Sequence, residues 1–465
     1  MAPSLTRGGI LVLTSVGLAQ VLVTLDYFSL SVAIPQMADD LDVSTTDIQW
    51  ALTAYLLSFA ALMVAGGRIG DIMGRKRTLL IGVAIFGGSS LLCGLAYDEY
   101  MLVGCRVLQG VGAAILFPTS MAVVGNAFDD ETRPRAIGAV VFVSTVGTAL
   151  GPLVGGVLTD VLDWRWVFLV NVPFAILAAA MIMRFVRESR DESVTRHVDY
   201  RGVVTLSGAI VALTLAIDRG PSWAESDPGW LAACLAAFVI LLVAFVLLER
   251  RVESPLVDLP TFRSQAFVMV TMSGFLSNFL WALSVFVATI WLQDVKDLSP
   301  LESGLAFLSM SAGVAVGGPL SGRLVARHDV GALMAGSALL GAAGALGVSL
   351  VDDLSAWLPL FGLLGLGVGI NYALVNQGAL AAVPKEKAGA ASGIALTAIV
   401  IGAALATVIA ATLLEELSGG PATDQSAVDQ VLRVGAVAAL LAAVPAALLW
   451  LRRRRGVARE QPEAA

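Results

Sequence analysis

Two ionisable residues stand where charge is least welcome. Asp26 lies within LVTLDYFSLSVAIP and Arg106 within CRVLQGVGAA, each inside an apolar run long enough to cross a bilayer. A charge at that depth is costly, so such a residue is by default a functional candidate with a partner to be named. At about 1.5 Å per residue, Asp26 is roughly 21 Å from the cytoplasmic end of its helix and Arg106 roughly 9 Å from the external end of its own. In a hydrocarbon core about 30 Å thick these are the same level. The two can meet or share a water-filled cavity. The chemistry of such a pair is proton binding. Burial raises the pKa of a carboxyl and a neighbouring cation lowers it, so a site that alternates between wet and dry, or paired and unpaired, takes up and releases a proton. A static ion pair tying the two helices together is the alternative. Gln109 and Ala113 follow Arg106 at three and seven residues, on the same helix face.

Composition sets the elements that must position them. The 465-residue chain is 57% hydrophobic and 14% charged, with a mean hydropathy of +0.84. No soluble domain needs this much apolar sequence, so the chain reads as a polytopic helical membrane protein. Cys93, Cys105 and Cys234 fall in apolar runs and imply no disulfide framework. His197 and His328 lie in charged connections, which excludes an intramembrane histidine relay or a His-rich metal site. With no metal spacing, no nucleophile–base set and no nucleotide-binding motif, neither an enzyme, a cofactor nor ATP is expected, and no nucleic-acid partner. The net charge of −7 matters less than its distribution.

Hydropathy gives 14 candidate spans, near 9–34, 48–70, 78–97, 100–127, 135–160, 165–187, 202–218, 229–249, 265–293, 301–326, 332–350, 356–382, 388–415 and 431–451. Alternate connections are basic, from Arg75–Lys76–Arg77 through Arg133 and Arg135, Arg187 to Arg201, Arg250 and Arg251, Arg327, and Lys385 and Lys387 to the Arg452–Arg455 tail. The others are acidic, including Asp98, Asp160, Asp227, Asp294, Asp352 and Glu415. By the positive-inside rule both termini are cytoplasmic. A repeat runs through the chain at an offset of 255: Gly67 maps to Gly322, Arg68 to Arg323, Gly110 and Gly112 to Gly365 and Gly367, and Gly138 and Gly147 to Gly393 and Gly402. Two parallel six-helix halves follow, with two helices inserted between them: residues 1–190, 191–262 and 263–465.

The second half does not copy the charged pair. At the same offset Asp26 becomes Trp281, Arg106 becomes Phe361 and Gln109 becomes Leu364. Its spans keep neutral polar and aromatic groups, of which Asn278, Trp281, Asn371 and Tyr372 are substrate candidates, as are Tyr27 and Gln109 in the first half. The amides serve equally well as bonds between helices. In the connection GGRIGDIMGRKR, Gly70 and Gly74 let the chain turn tightly, and Asp71 stands beside Arg75, Lys76 and Arg77, placed to pair with a cation across a domain interface and hold one conformation closed. In the fifth span Gly147, Gly151 and Gly155 recur every fourth residue, about 40° apart, leaving a groove without side chains for a neighbouring helix. Pro152 removes a backbone hydrogen bond beside it.

These motifs resemble the major facilitator superfamily over nearly the whole chain. Gly67-x3-Asp71-x2-Gly74-Arg75-Lys76 is similar to the loop signature between helices 2 and 3, Arg106-x2-Gln109-Gly110-x-Gly112 to the helix 4 motif, and the helix 5 glycines with Pro152 to the antiporter motif. The span count resembles the drug:proton antiporter subfamily with 14 transmembrane helices. So do Leu25-Asp26 with Val32-Ala33-Ile34-Pro35, Trp164-Arg165-Trp166-Val167-Phe168 with Asn171 and Pro173, and Pro255-Leu256-Val257-Asp258-Leu259. The resemblance implies an all-α membrane protein of the major facilitator fold, sited in the cell membrane as a multi-pass, bacterial inner-membrane protein. It implies a monomeric, non-enzymatic multidrug or antibiotic efflux pump that couples export of a small molecule to protons through Asp26 and Arg106. The residues Gly67, Asp71, Gly74, Arg75, Gly147, Gly151, Pro152 and Gly155 would gate it. No acid lies deep in the last six spans, which favours a neutral, hydrophobic or amphipathic substrate. Export of a lipid-like metabolite, symport on the same fold, and a membrane sensor or scaffold that moves nothing remain as alternatives.

Overall fold

A computed structural model of the chain describes residues 6–129, 132–190, 199–252, 255, 257, 259–325, 327–383, 388–418 and 424–460. Arg196, His197, Lys385 and Lys387 lie outside them. Among the described residues the regular elements are all helical. The long ones are α1 (Arg7–Leu41), α2 (Trp50–Met73), α3 (Arg75–Gly94), α4 (Glu99–Ala127), α5 (Arg133–Val161), α6 (Asn171–Phe185), α7 (Tyr200–Asp218) and α8 (Pro228–Glu249), followed by α9 (Gln265–Ile290), α10 (Pro300–Val325), α11 (Val330–Val348), α12 (Leu354–Ala381), α13 (Ala388–Ser418) and α14 (Gln425–Glu460). A single turn, Trp166–Leu169, leads into α6. Among the described residues twelve helices are long and apolar enough to cross a membrane. A thirteenth is α2, if its parts Trp50–Met63 and Ala65–Met73, bent by 50° from one another, make one span. In α5 the apolar stretch is Leu150–Val161. With this many apolar helices the chain is a multi-pass membrane protein, because in lipid a helix satisfies all its own backbone groups.

Short polar side chains start several helices. Asp98, Asp199, Asp227 and Asp329 each accept a backbone N–H in the first turn of α4, α7, α8 and α11, meeting donors that the helix itself cannot satisfy. The outward faces stay apolar. Val239, Ile240 and Val243 of α8 are exposed, which lipid tolerates because its tails are as apolar as the side chains themselves.

The chain divides into two compact units. One comprises Met1–Val257, Thr289–Leu308 and Thr407–Ala422, the other Asp258–Ala288, Ser309–Ala406 and Thr423–Ala465. In the first, α1 packs on α4, α5 and α6, while α2 and α3 pack on α4. The inserted helices α7 and α8 pair with each other, and α7 rests on α2. Asp218 at the end of α7 fixes that contact, accepting from Gln49 Nε2 and Trp50 Nε1, both at 3.2 Å. In the second unit α11 packs on both α12 and α14.

The glycine groove of α5 is filled by α1. A Cβ at Gly147 would fall 2.6 Å from Thr24 Oγ1, at Gly151 2.4 Å from Phe28 Cβ, and at Gly155 2.1 Å from the Ser29 carbonyl oxygen. Beyond it, a Cβ at Gly156 would meet the Pro300 carbonyl at 2.3 Å, and one at Gly304 the Pro152 carbonyl at 2.7 Å, so α5 also abuts the start of α10. Backbone lies against backbone, a distance that only glycine allows.

The internal repeat survives in three dimensions. A Cβ at Gly110 would approach the Tyr55 carbonyl oxygen at 2.4 Å, and one at Gly365 the Met310 carbonyl at 2.1 Å. Gly112 faces the Phe86 nitrogen at 2.8 Å, and Gly367 the Gly341 nitrogen at 2.4 Å. Each glycine and its partner both shift by 255 residues between the units. The repeated feature is therefore a pair of close helix contacts, α2–α4 and α3–α4 in one unit, α10–α12 and α11–α12 in the other.

Gly155→Ala is expected to destabilise the fold by about 1–3 kcal/mol, the range for overpacking a well-filled site. Gly104→Ala, at a helical glycine with nothing within 4 Å of its added methyl, should leave stability unchanged or raise it by about 0.5–1 kcal/mol. Thermal unfolding of the two detergent-purified variants checks the contrast, and equal melting shifts would contradict it.

Candidate functional site

Asp26 is fully buried midway along α1, and donors from two helices converge on its carboxylate. Arg106 and Gln109, one turn apart on the inner face of α4, are also fully buried. Arg106 Nη1 donates to Asp26 Oδ2 at 2.5 Å. Gln109 Nε2 donates to Oδ1 at 2.8 Å, and Asn171 Nδ2, in the first turn of α6, donates to the same oxygen at 2.7 Å. Arg106 is held in turn by other groups. Its Nε donates to the Ala51 carbonyl of α2 at 2.8 Å, and Nη1 also donates to Gln109 Oε1 at 2.7 Å. Its guanidinium carbon lies 4.2 Å from the centre of the Tyr55 ring, where the ring face favours a cation. The Tyr55 hydroxyl donates to the Val23 carbonyl of α1 at 3.1 Å. Ser90 of α3 accepts from Gln109 Nε2 at 3.2 Å and Asn171 Nδ2 at 3.1 Å, and donates to the Phe168 carbonyl at 2.9 Å. Five helices thus meet around one carboxylate.

The arrangement answers the cost of burial. A buried ion pair is tolerable only when its geometry is good and its remaining lone pairs and protons find partners. Asp26 accepts three bonds, two of them from neutral amides, and each amide is anchored on Ser90. Two polar atoms of the cluster are buried without a hydrogen-bond partner among the described residues: Arg106 Nη2 and Asn171 Oδ1.

Sequence reading joins Asp26 with Arg106 and places Gln109 on the right face. It assigns no role to Asn171, Ser90, Tyr55 or the Ala51 carbonyl. The available signal is an amide, a serine and a tyrosine within apolar runs, shared by many helix–helix contacts. Tyr27 is buried beside the cluster, its ring parallel to Tyr55 at 6.3 Å and edge-on to Phe28 at 4.7 Å.

The turn between α2 and α3 forms a second group. Arg75 donates to Asp71 Oδ1 through Nη2 at 2.7 Å and Nε at 3.1 Å, so the carboxylate takes its cation from its own loop. Gly74 has φ of 108°, a conformation that L side chains resist. Glu188, which follows α6, reaches back to this turn and accepts the backbone N–H groups of Lys76 and Arg77 at 3.0 and 3.2 Å. An acid at the exposed N-terminus of α3 also meets the positive end of the helix dipole. Gly67 packs against Pro118 of α4, with 3.3 Å left for a Cβ. At the opposite end of α1, Arg165 binds Asp40 at 2.8 Å and Asp163 at 3.5 Å and covers the Trp164 ring at 4.3 Å, which gives the Trp164-Arg165-Trp166 motif a tethering role.

The second-half candidates sit in the other unit. Asn278 of α9, buried, donates to the Ile399 carbonyl of α13 at 2.9 Å. Asn371 of α12, also buried, donates towards Ser273 Oγ, the Met334 carbonyl and Ser337 Oγ at 3.3–3.4 Å. Both amides thus bond neighbouring helices. Trp281 and Tyr372 are half-buried. Among the described residues no three Cys, His, Asp or Glu side chains gather as a metal site.

The profile of the Major Facilitator Superfamily matches residues 16–407, with a second match over 270–465. The chain belongs to the major facilitator superfamily. Within that superfamily it is 38% identical over 411 residues to a puromycin resistance protein of Streptomyces alboniger, covering 85% of this chain and 80% of the relative. It is 32% identical over 432 residues to a tetracenomycin C resistance and export protein of Streptomyces glaucescens, covering 91% and 79%. In fold it is similar to the crystal structure of a bacterial homologue of the human lysosomal transporter Spinster, with a TM-score of 0.65 over 98% of both chains at 16% identity.

In this major facilitator protein, Arg106→Leu leaves Asp26 buried without its cation and is expected to lower stability by about 3–5 kcal/mol, whereas the double change with Asp26→Leu should recover most of that loss. Thermal unfolding of both variants checks the difference; a double variant no more stable than the single one contradicts it. Glu188→Ala, which uncaps α3, should lower stability by about 1 kcal/mol and is checked in the same assay.

Proposed function

We propose that this transporter is a proton-coupled exporter of small hydrophobic or amphipathic compounds, antibiotics among them, working by alternating access. The observation that carries the proposal is the fully buried Asp26 carboxylate bound by Arg106, Gln109 and Asn171. An ionisable group this deep in a membrane protein, held by donors from separate helices, changes its proton affinity whenever those helices part or water enters. Asp26 loads a proton from the outside and gives it up to the cytoplasm in exchange for substrate. The two relatives named for antibiotic resistance and export support the substrate class.

In the same reading the chain crosses the membrane 14 times with both termini in the cytoplasm, as the alternation of its basic and acidic connections requires, and acts as a monomer. The α1–α5 glycine contact and the Asp71–Arg75 turn govern the change of conformation. In the first unit Tyr27 and Gln109 are the substrate candidates, and in the second Trp281, Tyr372, Asn278 and Asn371.

The test is accumulation of labelled puromycin in everted vesicles under an imposed pH gradient. Wild type is expected to accumulate it and Asp26→Asn, expressed and folded to the same level, to abolish the accumulation. Equal accumulation in both would remove Asp26 from the coupling and leave its ion pair structural.

A further inference from the structure

The hydrogen-bond inventory of the Asp26 cluster is complete for an ionised carboxylate and deficient for a protonated one. Every group that touches Asp26 does so as a donor. When the carboxyl gains a proton it gains an O–H that needs an acceptor, and an unmet buried donor is strongly disfavoured. Most acceptors nearby are already engaged. Gln109 Oε1 accepts from Arg106 Nη1 at 2.7 Å, and turning that amide over would set N–H against N–H. The Ser90 hydroxyl proton is committed to the Phe168 carbonyl and its oxygen accepts from two amides. The Tyr55 hydroxyl donates to Val23. One side-chain acceptor of the cluster has no hydrogen-bond partner at all among the described residues: Asn171 Oδ1, buried, on the same amide whose nitrogen lies 2.7 Å from Asp26 Oδ1.

We propose that Asn171 is a proton-dependent amide switch, donating through Nδ2 to the ionised Asp26 and turning over to accept the carboxyl proton on Oδ1 when Asp26 is protonated. A half-turn about the terminal torsion exchanges the two atoms without moving the backbone, since that torsion is broad and nearly two-fold. In the ionised state the idle atom is Oδ1; after the turn it is an N–H, and the Ser90 oxygen loses one donor. The turn thus gives the carboxyl proton its acceptor and moves the unmet donor onto the neutral amide, so the closed protonated site is the less well satisfied of the two. Gln109 lacks this freedom because Arg106 pins its oxygen. The charged and titratable groups facing Asp26 are Arg106 from α4, Tyr55 from α2 and Cys93 from α3; α6 presents the neutral Asn171, and α5 presents glycine to α1. Asn171 is a positioning residue for the proton, and its role rests on the proton-coupling reading above.

The test is an infrared titration of the full-length purified chain, with the Asp26 carboxyl band assigned by its loss in Asp26→Asn. Wild type should show that band growing as pH falls, together with a change in an asparagine side-chain amide band. In Asn171→Leu the amide change should vanish and the carboxyl band move to higher wavenumber, its O–H having lost an acceptor. The midpoint should move away from that of wild type, because the bond donated to a charged carboxylate and the bond accepted from a neutral acid differ in strength. Asn171→Ala, which removes the amide without adding bulk, takes the place of the leucine variant if that fails to fold. Asn171→Thr keeps a hydroxyl that both donates and accepts and should return the midpoint towards wild type, a rescue that packing alone would not produce. An unchanged midpoint and band in the apolar variants, or an equal shift in the threonine variant, overturns the switch. A carboxyl band that persists in Asp26→Asn overturns proton coupling through Asp26 itself, and the switch with it.

Discussion

A charged carboxylate and a guanidinium withdrawn completely from water set the terms for the first unit of this transporter. Each would be prohibitive alone at that depth, and even together they need further partners. Arg106 is fixed by the Ala51 carbonyl and the face of Tyr55, and Asp26 by Gln109 and Asn171, with Ser90 beneath both amides. Because these groups come from α1, α2, α3, α4 and α6, the cluster dictates which faces of five helices point inward. The tight packing around it follows. Gly110 and Gly112 let α4 lie against the backbones of α2 and α3, within reach of short side chains. The α5 glycines seat α1, which carries the carboxylate.

The repeat shows what happens to the same frame without the charges. The glycine contacts of α4 recur on α12 at a constant offset, yet Phe361 and Leu364 stand where Arg106 and Gln109 stand in the first unit. Both are fully buried, and Phe361 packs on Trp357 at 4.3 Å. Exchanging a buried ion pair for well-packed apolar side chains is often neutral or stabilising, so the second unit meets the general expectation and the first departs from it. Stability alone therefore does not account for the retained charges, which are what the proposed proton coupling asks for.

Outside the membrane core the chain uses charge to pin its connections. Glu188 ties the end of α6 to the start of α3, Arg165 ties the end of α1 to the α5–α6 connection, and Asp218 ties the inserted pair to α2. The last of these explains why two helices added between the halves stay with the first unit. Each contact joins residues far apart in sequence, and of the three only that of Arg165 falls in a motif singled out from the sequence.

The sequence by itself determined the helical membrane class, the repeat, the family and the two charges at one depth. These depend on hydropathy, composition and spacing, which are local quantities legible along a single chain. Asp26 and Arg106 were visible because a charge in an apolar run has few explanations. The glycine groove was visible for a similar reason, although which helix fills it was not. Only the tertiary structure decided that Asn171, Ser90 and Tyr55 gather on Asp26 and Arg106, whereas Asn278 and Asn371 donate to the Ile399 and Met334 carbonyls in the other unit. A neutral amide or hydroxyl in a span has the same local signature in either role. What separates them is which helix face it meets, and that is fixed by the packing of all the helices at once.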